Sequence, residues 1–308
     1  MHALVRNAAS RQMTGMSVFS VMPAPASGLF DWRGAAARAG IALLLAGFAP
    51  SAFAQEAGGD GVSIGTGIIT VPSYEGSDTN ILLPELVVRG QVDGFSFFSR
   101  GPVLFIDGIR DAKPGPGWDV GLGPVAGLRL DRVARIEDRQ VRALGKRDVA
   151  VELGGWVGVT RTGVLTSDFD LLSFRVSVAA DVAGAHGSYV VVPTVEYGTP
   201  VSRRAFVGVS VLTEYVGGGF GDYYFNIDSA GSAASGLSAY DGAGSGFKRA
   251  GVNLVFSRAL TGDLTEGLSA IALVGYYRML GEFARSPVVR EAGDADQLIG
   301  GLGLTYTF

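Results

Sequence analysis

From Gly61 onward, apolar and polar positions alternate in runs of about ten residues, separated by stretches rich in glycine, aspartate, asparagine and proline, which is how membrane-spanning strands are written. The clearest run is 172–182. Leu172, Phe174, Val176, Val178, Ala180 and Val182 fall on one face, and Ser173, Arg175, Ser177, Ala179 and Asp181 on the other. A period of two with one apolar and one polar face is a strand that separates two solvents. Val149, Val151, Leu153, Val157 and Val159 repeat it against Glu152, Trp156 and Thr160; Val207, Val209, Val211, Thr213 and Tyr215 do so against Gly208, Ser210 and Glu214. So do Ala250, Val252, Leu254 and Phe256 against Arg249, Asn253 and Ser257, and Val120, Leu122, Ala126, Leu128 and Leu130 against Asp119, Gly121, Gly123 and Arg129.

Runs begin near Gly61, Ile81, Asp93, Val103, Trp118, Val149, Leu171, Ser188, Arg204, Lys248, Leu268 and Gln297. The reading is all-β: one transmembrane antiparallel up-and-down β-barrel of about twelve strands, with ten or fourteen also compatible with boundaries good to a few residues. A soluble β-sandwich alternates too, but it does not usually carry a lipid-like face on nearly every strand. An even count puts both chain ends on the periplasmic side. The longest connections, 131–148, 216–247 and 281–296, then all fall on the outer side, where barrels keep their long loops.

Composition narrows the choice. Glycine occurs 47 times, cysteine never, and mean hydropathy is positive. A spanning helix needs about 18 or more continuous apolar residues, which no segment after residue 60 supplies. An apolar chain without such helices satisfies its backbone in lipid only as a closed barrel. Arg33 and Arg38 precede an apolar stretch at 41–49 and then Ala52-Phe53-Ala54, the layout of a secretory signal with cleavage after Ala54. The expected division is therefore 1–54, an extended N-terminus plus signal peptide, and 55–308, the barrel, in the outer membrane of a Gram-negative bacterium. Residues 1–31 are long for a signal n-region, so Met16 or Met22 is an alternative start. The formal charge is −4, and the segment lost on export carries Arg6, Arg11, Arg33 and Arg38 against Asp31 alone, leaving a more acidic remainder. A nucleic-acid partner, which needs a basic patch, is not expected.

At the C-terminus Leu298, Leu302, Leu304, Tyr306 and Phe308 share a face, with Ile299, Gly301, Gly303, Thr305 and Thr307 opposite. Alternation ending in Tyr306 and Phe308 looks like the signal read by the barrel assembly machinery. Tyr189, Tyr197, Tyr215, Tyr223, Tyr224, Tyr276 and Tyr277 recur near strand ends, where an aromatic girdle at the lipid–water boundary is expected, core or loop packing being the other reading.

Several elements resemble the MltA-interacting protein (MipA/OmpV) family of outer-membrane proteins. Pro72, Tyr74, Glu75, Gly76, Ser77 and Asp78 match a P-x-Y-E-G-S-D element, and Ser286 with Pro287 falls in the best-matching C-terminal stretch, 277–308. Residues 224–227 and 235–240 resemble the family's acidic-aromatic loop, with Asn226-Ile227-Asp228 a departure from its usual Gly-Val-Ser. The resemblance implies a scaffold joining a lytic murein transglycosylase to a bifunctional penicillin-binding protein. Read as residues alone, Pro72 to Asp78 is a capped extracellular turn, with Glu75 and Asp78 able to hold a cation or a partner's basic group. Ser286-Pro287 is read as a loop entering a strand.

Two other functions compete. The lumen should carry Arg129, Glu152, Arg175, Asp181, Glu196, Glu214 and Arg249; such charges select solutes in a porin-like channel or pair across it and plug it. The loop 216–247 could serve a surface adhesin. Catalysis has little to build on: His186 is the only histidine after residue 54, with Asp181 and Ser188 nearby but no surrounding motif, and it is expected as an exposed turn residue. Gly217-Gly218-Gly219 lacks the Lys-Ser/Thr of a phosphate loop, and no cofactor or metal ligand set is visible.

Overall fold

A computed structural model describes residues 61–111 and 115–308. The expected signal and its cleavage point lie outside the described residues. The strands are β1 (Gly61–Pro72), β2 (Asn80–Val92), β3 (Phe95–Arg100), β4 (Val103–Ile106), β5 (Gly117–Arg129), β6 (Ala150–Thr162), β7 (Leu171–Asp181), β8 (Tyr189–Ser202), β9 (Ala205–Val216), β10 (Gly246–Ala259), β11 (Gly267–Met279) and β12 (Asp296–Thr307). Each pairs antiparallel with its chain neighbours, and β1 pairs with β12 from Ser63↔Thr307 to Thr70↔Gly300, closing a barrel of twelve strands. The expected strand starts fall within three residues of these.

Alternation decides the two faces. Leu82, Val120, Leu122, Val157, Phe174, Val211, Leu254, Val274, Leu302 and Tyr306 all point out and are well exposed, Leu302 to 66%. So continuous a belt of exposed apolar side chains makes sense only against lipid. Their neighbours Glu152, Ser173, Arg175, Glu196, Ser210, Asn253 and Thr305 are buried inside. Among the described residues no helix is long and apolar enough to cross a membrane. The tyrosines divide. Tyr189 and Tyr276 stand on the outer surface as a girdle requires, whereas Tyr224 and Tyr277 are buried within, Tyr277 donating its hydroxyl to Asn253 Oδ1 at 2.8 Å.

The long connections 130–149, 217–245 and 280–295 leave one rim, together with 73–79, 101–102 and 182–188; the opposite rim has 93–94, 107–111 with 115–116, 163–170, 203–204 and 260–266. In the turn after β4, burial pushes the Asp111 carboxyl up to about 6, against the bonds it accepts from Ser96 and from Gln91 (2.7 Å). A raised carboxyl pKa means the folded state holds its proton longer than the unfolded chain. Stability should therefore fall as pH rises from about 4 to about 6. Asp111→Asn, which keeps an acceptor for both donors, should flatten that slope in urea titrations at stepped pH.

The β3–β4 hairpin is much shorter than its neighbours. β3 pairs with β2 only from Arg89↔Phe98 to Val92↔Phe95, with Val88 N–H donating to Ser99 Oγ (3.0 Å) just above. β4 meets β5 only from Val103↔Gly127 to Phe105↔Val125. The upper half of β2 thus has strand pairing toward β1 alone among the described residues.

Candidate functional site

The outer loops fold over the barrel mouth. They form short helices α1 (Arg139–Ala143), α2 (Gly218–Tyr224), α3 (Ser229–Ser235), α4 (Gly281–Arg285) and α5 (Pro287–Arg290). Side-chain caps start three of them: Asp138 accepts from Val141 N–H (2.8 Å), Asp228 from Gly231 N–H (2.7 Å), and Ser286 from Val288 N–H with Pro287 in the first turn. Ser286-Pro287 therefore begins a helix rather than leading into a strand, as the sequence suggested. The Ser286 hydroxyl also donates to Phe225 C=O at 2.6 Å, tying two loops together. Two apolar clusters fill the lid. Phe220, Tyr224, Phe225, Phe283 and Val289 pack with Val216 and Met279 of the wall; Tyr74, Ile136, Val141, Ile227, Leu237 and Val288 form the other.

Beneath the lid lies a charged layer. Lys248 Nζ, fully buried, sits 2.6 Å from Glu75 and 2.7 Å from Glu214. Arg129 bridges Glu152 (2.7 Å) and Glu75 (3.1 Å), and Arg249 pairs with Glu214. Burial works to raise the Glu75 carboxyl, but Lys248, Arg249 and Arg129 outweigh it and hold it below the ordinary carboxylate range. Asp131 accepts the Glu75 N–H at 2.8 Å; burial, with the Glu75 charge beside it, pushes its carboxyl up to about 6. Lys248 reaches this layer because a bulge between Phe247 and Arg249, opposite Tyr215 and Glu214, turns two consecutive side chains inward.

Deeper in, Arg100 and Arg175 converge on Glu196 at 2.5 and 3.2 Å. Arg175 lies over Phe98 and Phe105, which stack with centroids 4.9 Å apart, and Trp156 meets both edge-on while donating Nε1–H to Ile106 C=O (3.0 Å). Near the inner rim Leu171, Phe206, Val255 and Leu264 are buried together. A cavity of about 380 Å³ remains between lid and mid-lumen, reached by Leu83, Val103, Arg100, Arg175, Glu75 and Arg249 among others.

The residues expected from sequence thus sort clearly. Arg129, Glu152, Arg175, Glu196, Glu214 and Arg249 face the lumen as pairs, with no ring of like charge. Asp181 is spent on the turn that follows, accepting from Ala183, His186 and Gly187 N–H groups. The P-x-Y-E-G-S-D segment is more than an exposed turn: Tyr74 is buried and donates to Ala292 C=O, and Glu75 meets cations of its own chain. Ser77 closes the turn on Ser73 (3.0 Å) and Asp78 stays outside, accepting from the Thr79 hydroxyl. His186, expected in solvent, is 5% exposed; Ser188 N–H donates to its Nδ1 and its Nε2 lies 3.2 Å from Glu152. One ring nitrogen faces an acid, but the other accepts from a backbone N–H and not from a serine hydroxyl, so the group is not arranged as the base of a serine triad. Among the described residues no three or more His, Asp or Glu side chains are grouped to hold a metal.

Gly76 shows how tightly the segment is seated. Its φ is +96°, and a Cβ there would stand 2.5 Å from Val289 Cγ2. Its N–H donates to Gln297 Oε1 (3.1 Å) and its C=O accepts from Asp294 N–H (2.9 Å). Gly76→Ala is expected to cost about 1–3 kcal/mol of stability, read by urea unfolding in vesicles, with faster proteolysis of 280–295.

A closed antiparallel barrel with an apolar outer belt, a paired polar interior and a folded outer lid defines an integral membrane protein of the bacterial outer-membrane type. The chain belongs to the family described as MltA-interacting protein MipA, whose model matches residues 64–308. Solved structures similar to it include an outer membrane channel from Pseudomonas putida F1 (10% identity, 81% of this chain and 96% of that one, TM-score 0.39). The CymD monoaromatic hydrocarbon channel (11%, 81% and 89%, 0.36) and the Pseudomonas putida toluene transporter TodX (11%, 81% and 89%, 0.33) are similar as well. No curated protein matches the sequence.

Proposed function

We propose that this barrel is an outer-membrane anchor that holds murein-processing enzymes, a lytic transglycosylase first and a penicillin-binding synthase with it. Membership of a family described as MltA-interacting supports the first partner. The observation that carries the reading over a porin-like channel is how the described lumen is filled. Apolar clusters stand at the outer end and near the inner rim, with ion pairs between them. An adhesin would use the lid's outer surface and makes no demand on the interior.

The inner turns are short, but 163–170 presents Leu165 and Phe169, 76% and 52% exposed. Apolar side chains at the tip of a turn favour a protein contact. Purified barrel should bind its host's lytic transglycosylase saturably where an unrelated barrel does not, and Leu165→Asp with Phe169→Asp should weaken that binding at least about tenfold. Absence of binding at micromolar concentration, together with steady conductance in planar bilayers, would replace the anchor with a channel.

A further inference from the structure

The short β3–β4 hairpin leaves the wall unsealed on one side, and the pairing shows how this is tolerated. Val88 N–H points to Ser99, so even-numbered residues of this stretch turn their backbone groups toward β3. Pro84 has that parity and no N–H to leave unmet; Leu82 C=O receives Arg135 Nη1 at 3.0 Å. Proline is tolerated in a strand where a ladder donor is not needed. On the other side the hairpin seals against β5, Leu128 N–H donating to Pro102 C=O at 3.0 Å. Strand pairing is therefore missing between the upper half of β2 and the hairpin tip, a cleft in the ladder that Arg135 of the outer loop reaches across.

The cavity lies behind this cleft. Its walls take in Leu83 on one side and Gly101, Pro102, Leu128 and the exposed Ala134 on the other. Outward Leu82, Leu86 and Leu104 flank the cleft, 40–63% exposed on the lipid face. Inside, Leu83, Val103, Phe105 and Val125 give an apolar lining. Four arginines and four acids line the cavity as a whole, Arg129, Arg249, Glu75, Asp131, Glu152 and Glu214 gathering under the lid; at its deeper end stand Arg100 and Arg175, two guanidinium groups sharing the single carboxylate of Glu196, which is not on the lining. The space falls within the range of small-molecule sites. It joins an apolar entrance to a guanidinium pair, the shape and charge of an alkyl chain ending in a carboxylate.

We propose that the cleft is a lateral portal and that the cavity takes a long-chain alkyl carboxylate from the membrane, its head on Arg100 and Arg175. This goes beyond the anchor reading and does not depend on it.

Fluorescence tests it directly. With Trp32 and Trp118 replaced by Phe, Trp156 is the single tryptophan, one ring behind the cavity wall at Phe105. Stearic acid brominated at mid-chain, added to the protein purified from outer membranes in a nonionic detergent, should quench Trp156 saturably. Its methyl ester, and the acid against Arg100→Met, should bind about tenfold more weakly, the loss of a charge-assisted contact. Ala179→Phe and Ser177→Leu, which fill the cavity from two wall positions, should abolish saturable quenching. Heat-modifiable gel mobility identifies the folded variants, and either folded one decides. Quenching that stays linear in concentration, or that survives both filled variants, would overturn the proposal. Bilayer phosphatidylcholine brominated on its chains and quenching Trp156 as well as the free acid does would overturn the carboxylate assignment.

Discussion

Lys248→Met is expected to lower the stability of the barrel by about 3–5 kcal/mol, because it leaves buried carboxylates facing one another without the cation between them. Glu75 and Glu214 both lie within 2.7 Å of Nζ. Methionine fills a similar volume but offers no charge, and Arg249 and Arg129 remain to serve both acids and Glu152 as well. Glu75→Gln in the same background should recover part of the loss, since it removes one of the stranded charges; a double-mutant cycle in vesicles measures the coupling. The pH response gives a second reading. A carboxyl held below its ordinary value adds stability that is complete above that value and lost as pH falls through the depressed one. The wild-type protein should therefore lose lid stability on acidification, and Lys248→Met should lose less, having less to lose. An equal loss in both would show that Glu75 is not held by Lys248.

The second large effect is on the lipid face. Val176 points outward in the middle of β7, paired with Val157 on one side and Pro193 on the other. Val176→Arg should cost about 2–4 kcal/mol, the penalty for a guanidinium at the bilayer midplane. Its neighbour Ser177 lines the cavity, so Ser177→Arg places the same side chain beside polar groups and free volume and should cost much less. Reversible folding titrations of the two variants compare them directly, and equal losses would contradict the strand's orientation.

Strand number, parity and facing were open to a reader of the sequence because a lipid-facing wall imposes a period of two that nothing local overrides. Leu172 to Asp181 carries it most clearly, and Leu298 to Thr307 keeps it except at Ile299 and Gly300. The lid was hidden for the opposite reason. Tyr74 and Glu75 lie in a stretch whose glycine, serine and aspartate satisfy an exposed turn equally well, and only the tertiary fold brings Ala292 and Lys248 to them. Lys248 itself is the residue that alternation assigns outward; one extra residue in the bulge reverses it, and no pattern around Phe247 announces that. The lumen charges were found from their positions on strands, but not their partners, since Arg100 comes from a hairpin too short to show a period. Asp181 was assigned a lumen role on parity alone, and its place at the strand's last residue made it a turn acceptor instead. His186 reads as a loop residue in sequence, and it is one; the lid closing over that loop buries it.

Glu75 and Lys248 are 173 residues apart in the chain, and each hangs from a different part of the closed wall. Their contact joins distant parts of the chain, so it waits until β1 and β10 share one circumference. Assembly then has an intrinsic order: the cylinder first, the cap last. A barrel arrested late in insertion would be complete in its strands yet still unstoppered, and the passage between that species and the finished one is guarded by a handful of charges that find each other only at the end.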